Sequence, residues 1–392
     1  MWRSLRKLSW PCLNWMTNKE AEIYIHIPFC VRKCAYCDFL SFSADEDTRK
    51  KYVSALDHEI AAACGAFKDR MIRSVFIGGG TPSVLEEGQL GSILEMVFRC
   101  ANVGKDAEIT VECNPGTADE HKLRALHSMG VNRLSIGAQS FNDGLLKVIG
   151  RIHDSRDIRR CFESARRAGF ENINLDLIFS LPGQTAADWR NDLKEAASLE
   201  PEHLSAYSLI LEERTPLYEN RAHLRFPDEE ADRAMYYAAG EILSGFGYRQ
   251  YEISNYAQPG KECIHNTGYW TGVEYLGLGL GAASLVNSIR FRNTSDMDEY
   301  LQDAETPDKI RIEEEKLDLH AQMSEFIILG MRMTEGISAE AFRKRFGKDL
   351  YEEYGARLEK YVSLGLVKKE NDRLFLSGEG ISVSNTIFAD LL

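Results

Sequence analysis

Short apolar segments rich in β-branched and aromatic residues alternate with longer amphipathic segments through the first half of the chain. The apolar segments predict six strands, at residues 23–27, 74–77, 107–112, 133–136, 172–178 and 204–209. The amphipathic segments between and after them predict helices at residues 48–63, 87–99, 118–129, 157–168, 187–199 and 228–243. This alternation is typical of βαβ units around a parallel sheet. Six units are too few for a closed eight-stranded barrel, so the pattern predicts an α/β fold with a partial (β/α)6, TIM-like barrel.

The pattern changes after about residue 215. Residues 245–284 are rich in glycine and aromatic side chains, and the charged segment 303–316 predicts a linker. Beyond it, helical patterns and a short hairpin at 366–376 are similar to a small winged-helix module; the helices fall at 317–333, 339–345 and 350–364. We therefore expect four regions: an N-terminal extension at 1–20, a core barrel at 21–250, a glycine- and aromatic-rich segment at 251–302 and a helical, winged-helix-like domain at 303–392.

Composition narrows the class of protein. Of the 392 residues, 44% are hydrophobic, which is enough for a sizeable core. The formal net charge of −13 argues against a protein that coats nucleic acid. No segment approaches the ~20 apolar residues of a membrane span. With nine cysteines in a chain of this length, a reducing compartment is expected rather than a secreted disulfide scaffold. We predict a soluble, cytoplasmic protein without nucleic-acid partners.

The first seventeen residues leave one alternative open for location. They carry Arg3, Arg6 and Lys7 and no acidic residue, which is compatible with an organellar transit peptide. The other interpretation is an upstream extension of little function, with translation starting at Met16.

Three cysteines are grouped directly after the first predicted strand. Cys30, Cys34 and Cys37 have the spacing C-x3-C-x2-C. Three thiolates on one short loop can hold a multi-iron centre and leave one iron open to another ligand. A zinc site would need a fourth ligand, and no partner is obvious because His26 lies on the strand itself. An incomplete zinc site or three buried cysteines remain the alternatives.

Other strands also end in small or polar residues, at 78–81, 112–115 and 137–139. In parallel barrels the chemistry sits at these carboxyl ends. Glycines at 78–80 allow close backbone approach to a ligand, and the guanidinium of Arg151 suits a carboxylate. The alternatives are an ordinary βα turn, a helix-capping segment and a surface ion pair.

The cysteine motif has an aromatic residue, Tyr36, before its third cysteine, and it follows the segment Tyr24-Ile-His26-Ile-Pro28-Phe29. The chain thereby resembles the radical S-adenosylmethionine (SAM) superfamily. More narrowly, it resembles the oxygen-independent coproporphyrinogen III oxidases and the HemW-type haem chaperones, from about residue 23 to the C-terminus. The resemblance implies a [4Fe-4S] cluster on Cys30, Cys34 and Cys37, and reductive cleavage of SAM to a 5′-deoxyadenosyl radical. The resemblance implies that Tyr24 lies beside the cluster. It also implies that SAM contacts Gly79, Gly80, Thr81, Glu112, Gln139, Arg151 and Asp176.

Two features separate the two branches. Phe39 stands where the oxidases carry a further cysteine, and the segment before the first strand is shorter than theirs. Both features match the haem-chaperone branch. The segment His265-Asn266-Thr-Gly-Tyr269-Trp270 resembles the H-N-x-x-Y-W motif associated with haem in that branch. An imidazole can ligate haem iron, and Tyr and Trp offer flat apolar surface. The alternative is a packed loop with a structural histidine.

The resemblance implies a protein that binds haem and delivers it to haem-accepting proteins, such as membrane respiratory enzymes. A reductant such as flavodoxin or ferredoxin and a homodimer are further expectations. The main alternative is an enzyme, an oxygen-independent coproporphyrinogen III oxidase that converts propionates to vinyl groups. A third alternative is a zinc-dependent module that places its winged helix on DNA, but the chain lacks a basic recognition helix.

Overall fold

The computed structural model describes residues 20–392. The predictions about residues 1–19, including the transit peptide and the start at Met16, lie outside the described residues. Parallel strands and helices alternate over the first half, as the sequence predicts. They are β1 Glu20–Ile27, α1 Glu46–Ala63, β2 Met71–Gly79, α2 Glu87–Cys100, β3 Val103–Cys113, α3 Glu120–Ser128, β4 Arg133–Gln139, α4 Asp143–Val148, α5 Ser155–Arg167, β5 Ile173–Phe179, α6 Ala186–Ser198 and β6 His203–Ser208.

Strands β1 to β6 pair in sequence order, and every neighbouring pair is parallel. Alternation along β1 explains how the sheet is covered: Ile23, Ile25 and Ile27 are fully buried on the face that carries the helices. Glu22, Tyr24 and His26 point to the opposite, concave face. The partial (β/α)6 barrel of the prediction is confirmed, with an apolar outer layer and a polar interior.

The next segment extends this sheet at both ends. Its elements are α7 Pro216–Glu219, α8 Glu229–Gly245, β7 Arg249–Gln250, β8 Asn255–Ala257, α9 Ile264–Thr271, β9 Glu274–Leu278, β10 Ala283–Val286, β11 Ile289–Asn293, α10 Met297–Asp303, α11 Pro307–Ile310 and β12 Arg311–Lys316. The order of the whole sheet is β12-β11-β10-β9-β1-β2-β3-β4-β5-β6-β8-β7. Strand β9 is parallel to β1, and the strands beyond it are antiparallel.

The linker predicted at residues 303–316 is wrong, because residues 311–316 form strand β12 beside β11. The charges belong to an exposed edge strand. The guanidinium of Arg292 on β11 donates two hydrogen bonds of 2.5 Å to the carboxylate of Glu313 on β12. Charged side chains on an edge strand pair across it and discourage association with other chains. A run of charges therefore does not distinguish an edge strand from a linker.

The last region forms a separate core. Its elements are α12 Leu319–Gly330, β13 Ile337–Ser338, α13 Ala339–Phe346, α14 Leu350–Ser363, β14 Val367–Glu370, β15 Arg373–Leu376, α15 Gly378–Ser382 and α16 Ser384–Leu391. The three strands form a small antiparallel sheet in the order β13-β15-β14. Helices with a short hairpin agree with the predicted winged-helix-like domain. None of the helices within residues 20–392 is long and apolar enough to cross a lipid bilayer.

Candidate functional site

A cavity of about 530 Å³ opens at the carboxyl ends of the parallel strands. Its walls come from residues of β2 to β6 and from the segments that follow β1, β2, β3, α4 and β6. Because parallel strands all end at the same edge, residues far apart in sequence meet here. Ten of the residues predicted from the sequence line this one cavity: Cys30, Cys34, Cys37, Gly79, Gly80, Thr81, Glu112, Gln139, Arg151 and Asp176.

The loop after β1 presents three cysteines to the cavity, and each of them is partly exposed. The sulfur of Cys30 lies 3.5 Å from Oγ1 of Thr81, and the sulfur of Cys34 lies 3.6 Å from Nη1 of Arg151. Burial raises the pKa of the Cys37 thiol. None of the eight cysteines within residues 20–392 forms a disulfide.

The donor set of the cavity suits an iron–sulfur cluster. Within residues 20–392, no group of three or more His, Cys, Asp or Glu side chains is placed so that it could hold one metal ion. A zinc site needs such a group of converging ligands. In an iron–sulfur cluster each cysteine binds its own iron, so the sulfurs stand further apart. Three soft sulfur donors on one cavity wall therefore fit a cluster.

The end of β2 brings backbone atoms close to the cavity. Gly79 has φ of +110°, and a Cβ at this position would lie 2.4 Å from Cε1 of His26. Only glycine fits both the conformation and the space. The amide nitrogen of Gly79 donates a 2.9 Å hydrogen bond to Oε2 of Glu112 on β3. Burial, together with the charge of Asp176, raises the pKa of this Glu112 carboxyl to about 7.

Asn114 joins two of the predicted residues. Arg151 donates from Nη2 to Oδ1 of Asn114 at 2.6 Å and to the carbonyl oxygen of Gly137 at 2.5 Å. Asn114 in turn donates from Nδ2 to Oγ1 of Thr81 at 2.7 Å. The sequence analysis does not predict Asn114. Within residues 112–115 it predicts only Glu112 as a ligand residue, with a helix-capping segment as the alternative. The position of Asn114 at a strand end was the signal that could have found it.

The far wall carries acceptors for polar ligand groups. Asp176 accepts hydrogen bonds from Oγ of Ser135 at 2.9 Å and from Nδ2 of Asn174 at 2.8 Å. Gln139 has φ of +67°, an uncommon backbone conformation for a residue with a side chain. It follows a shift in the register between β4 and β5. The cavity thus offers carboxylates, a side-chain amide, a guanidinium and accessible backbone atoms. These groups would hold the amino acid and ribose parts of SAM.

The predicted haem motif lies at the opposite end of the barrel. Helix α9 begins at the carboxylate of Glu108, which accepts hydrogen bonds from the amides of Ile264 and His265 at 3.0 and 3.2 Å. The sulfur of Cys263 donates to the same carboxylate at 3.3 Å. Glu108 precedes the cavity residue Glu112 by four positions on β3, which is about 13 Å along a strand. Helix α9 thus packs against the amino ends of the strands.

His265 is enclosed there. It is 2% exposed, its Nδ1 lies 2.8 Å from Oγ of Ser74, and its Nε2 lies 3.2 Å from the hydroxyl of Tyr269. Its ring stacks on Phe76 at 5.1 Å between centroids. Burial lowers the pKa of His265 to about 3, so the imidazole is neutral. Both ring nitrogens already have partners, and ligation of haem iron would require this helix to move.

The remaining motif residues also serve packing. The guanidinium of Arg332, beyond α12, lies 4.3 Å from the ring centre of Trp270, which connects α9 to the C-terminal region. Tyr24 was expected beside the cluster, but it does not line the cavity. Its hydroxyl lies 2.9 Å from Nδ1 of His26, and its ring lies 6.4 Å from that of His265. None of Tyr24, His265, Asn266, Tyr269 and Trp270 belongs to the walls of the cysteine cavity.

Comparison with known proteins identifies the family. The model of the radical SAM superfamily matches residues 24–196, and the model of the HemN C-terminal domain matches residues 317–383. The heme chaperone HemW of Lactococcus lactis is 36% identical over 96% of this chain and 98% of its own. That of Bacillus subtilis is 36% identical over 94% of this chain and 98% of its own. The chain belongs to the HemW family of radical SAM proteins.

A solved structure shows the same fold in another branch of the superfamily. The coproporphyrinogen III oxidase HemN of Escherichia coli superposes with a TM-score of 0.84 at 22% identity, covering 95% of this chain and 90% of its own. At that identity the likeness concerns the fold alone. For a HemW-family member of the radical SAM superfamily, SAM and a [4Fe-4S] cluster are the implied cofactors, and the groups around the cavity fit both.

Proposed function

We propose that this protein is a haem chaperone, which binds haem and delivers it to haem-accepting proteins. The observation that carries the proposal is the match to proteins named heme chaperone HemW over at least 94% of this chain and 98% of theirs. The match includes the barrel, helix α9 and the C-terminal domain rather than the radical SAM core alone. Phe39, where the oxidases have a further cysteine, supports the same branch.

The cavity supports a specific assignment of the cofactors. Cys30, Cys34 and Cys37 hold the cluster, because they are three partly exposed thiols on one wall. When bound together, the cluster and SAM supply one-electron reduction of the sulfonium. The chain's own residues bind and orient SAM around this wall: Gly79, Gly80, Thr81, Glu112, Asn114, Gln139, Arg151 and Asp176.

The proposal extends to partners and location. The chain receives electrons from a small redox protein such as flavodoxin or ferredoxin, and passes haem to acceptors such as membrane respiratory enzymes. It works in the cytoplasm, or in an organelle if residues 1–17 are a transit peptide. These assignments rest on the resemblance.

Anaerobic transfer of haem tests the proposal directly. The full chain, reconstituted with iron, sulfide and SAM, is loaded with haem and mixed with an apo-haemoprotein of the cytochrome b type, and the Soret band is followed. We expect haem to move to the acceptor faster than from serum albumin carrying the same haem. Coproporphyrinogen III is supplied to the same preparation with a reductant. Conversion of its propionates to vinyl groups without haem transfer would replace the chaperone assignment with the oxidase.

A further inference from the structure

Three large apolar side chains are exposed around the mouth of the cysteine cavity. Phe39 is 68% exposed, Ile210 is 71% exposed and Tyr207 is 39% exposed, and all three line this cavity. Single exposed apolar residues are ordinary on protein surfaces, but several at the mouth of one cavity mark a binding surface. We call Phe39, Tyr207 and Ile210 the apolar rim.

Two cations lie on the cysteine loop: Arg32 lines the same cavity, and Lys33 contacts the backbone of Phe39. Arg32 donates from Nη2 to the carbonyl oxygen of Gly150 at 2.8 Å, and Lys33 donates to the carbonyl oxygen of Phe39 at 2.9 Å. In the described part of the chain neither forms an ion pair with a carboxylate at 4.0 Å or less. Asp38 and Glu212 also line the cavity, so the mouth carries both signs of charge. The cations nevertheless remain available to an anionic ligand.

We propose that haem binds at this mouth, with its macrocycle against the apolar rim and its propionates toward Arg32 and Lys33. The inference rests on the proposed haem-chaperone function and adds the location of the site. Haem is a large flat apolar molecule with two carboxylates, and exposed apolar side chains near two exposed cations match both parts. The site lies on the outer side of the cavity that holds the three thiols.

This location also suits release. The apolar rim offers no histidine or methionine to the haem iron, so binding depends on macrocycle contact and on the propionates. An acceptor protein that supplies an axial ligand then forms a bond to the haem iron, and no iron–ligand bond to the chaperone has to break first. The buried His265 provides no comparable route, since it is 2% exposed at the other end of the strands.

Haem titration of the reconstituted full chain tests the proposal. The double variant Phe39→Ser/Ile210→Ser removes the apolar rim, and Phe246→Ser/Leu364→Ser is the matched control, since Phe246 is 49% and Leu364 is 62% exposed and neither lines the cavity. We expect at least tenfold weaker haem binding for the rim variant, wild-type affinity for the control, and unchanged iron content in both. Arg32→Gln/Lys33→Gln should weaken binding of haem but not of haem dimethyl ester, whose carboxylates are blocked.

The outcomes separate the two levels of the proposal. If the wild-type chain does not bind haem, the proposed function fails. If the wild type binds haem and the rim variant binds it equally well, the function stands and the location is overturned. A loss of affinity in His265→Ala alone, with the fold retained, would assign haem to helix α9 instead. If the rim variant keeps its haem affinity and its cluster is reduced more slowly by flavodoxin, the rim is a docking surface for the electron donor. That result would also overturn the proposal.

Discussion

The guanidinium of Arg151 donates a 2.6 Å hydrogen bond to the side-chain oxygen of Asn114. The two residues follow different strands, β3 and β4, and Asn114 also holds the hydroxyl of Thr81 at 2.7 Å. One amide therefore positions a cation beside Cys34 and a hydroxyl beside Cys30. These hydrogen bonds connect the segments that carry Thr81, Asn114 and Arg151, which belong to the proposed SAM site, and bring them against the cysteine loop.

Substitution of Asn114 should weaken SAM binding without loss of the cluster. Asn114→Ala removes both hydrogen bonds, so Arg151 keeps the carbonyl oxygen of Gly137 but loses the side-chain acceptor that follows β3. We expect the Kd for SAM, measured by anaerobic isothermal titration, to rise about tenfold, the equivalent of about 1.4 kcal/mol. Asn385→Ala, on the exposed surface of α16, is the control and should bind SAM as the wild type does. Unchanged SAM affinity in Asn114→Ala would show that the hydrogen bonds of Asn114 to Arg151 and Thr81 do not contribute to SAM binding.

Binding of SAM should depend on pH through Glu112. Burial and the charge of Asp176 raise the pKa of Glu112 to about 7, so the carboxyl is largely neutral at pH 6 and largely ionised at pH 8. An ionised carboxylate attracts the positively charged groups of SAM, and a neutral carboxyl does not. We expect SAM affinity to rise between pH 6 and pH 8 in the wild type. Glu112→Gln should flatten this rise; an identical pH profile in both proteins would exclude Glu112 from SAM binding.

The resemblance to the radical SAM superfamily implies the ten cavity residues, and the parallel barrel explains why they meet, because its strands all end at one edge. Cys30, Gly79 and Glu112 are far apart in sequence, yet each lies near or just after the end of a strand, and Asp176 lies within β5. Asn114 was missed because its importance depends on where Arg151 points, which no local pattern encodes. The exposure of Phe39 could likewise not be read from its neighbours.

The end of the barrel at which α9 lies could not be predicted either. The H-N-x-x-Y-W pattern indicates a helix with a histidine, but the carboxylate that anchors this helix is Glu108 on β3. That contact joins residues 157 positions apart. Such a pairing depends on the tertiary packing of α9 against the barrel strands, and it makes His265 part of the interior.

Loss of the His265 ring should destabilise the fold. Removing a buried imidazole leaves Ser74 and Tyr269 without their partner and creates a cavity, so His265→Ala should lower the free energy of unfolding by roughly 2–4 kcal/mol. Urea denaturation measures this change. His121→Ala is the control, because this exposed histidine has only a surface ion pair with Glu87 and should change stability by about 0.5 kcal/mol or less.

The pH dependence of unfolding gives His265 a second signature. Burial lowers its pKa to about 3 in the folded protein, from an ordinary value of 6.5. Between these values the unfolded chain binds a proton that the folded chain does not, so stability falls as the pH is lowered from 6.5 toward 3. His265→Ala should show a shallower loss over this window. An equal slope in both proteins would mean that His265 is not neutral in the fold.

Gly268 is required where α9 meets β1. A Cβ at this position would lie 2.0 Å from Oε1 of the buried Glu22. Gly268→Ala should therefore reduce stability by about 1–3 kcal/mol, because the buried carboxylate must shift to make room, although alanine is the better helix former. Gly88→Ala, in helix α2, is the matched control, since nothing lies within 4 Å of its added Cβ. It should be neutral or stabilise the protein by up to about 1 kcal/mol. Equal effects of the two substitutions would contradict the close packing of α9.

The central claim is that Cys30, Cys34 and Cys37 hold a four-iron cluster. The direct measurement is iron and sulfide content, with the visible and electron paramagnetic resonance spectra, after anaerobic reconstitution. We predict about four iron and four sulfide per chain for the wild type and for the control Cys100→Ala. Each of Cys30→Ala, Cys34→Ala and Cys37→Ala should lose most of the iron and the spectrum of the cluster. A wild-type chain without a four-iron signal, or a full signal in all three variants, would contradict the account.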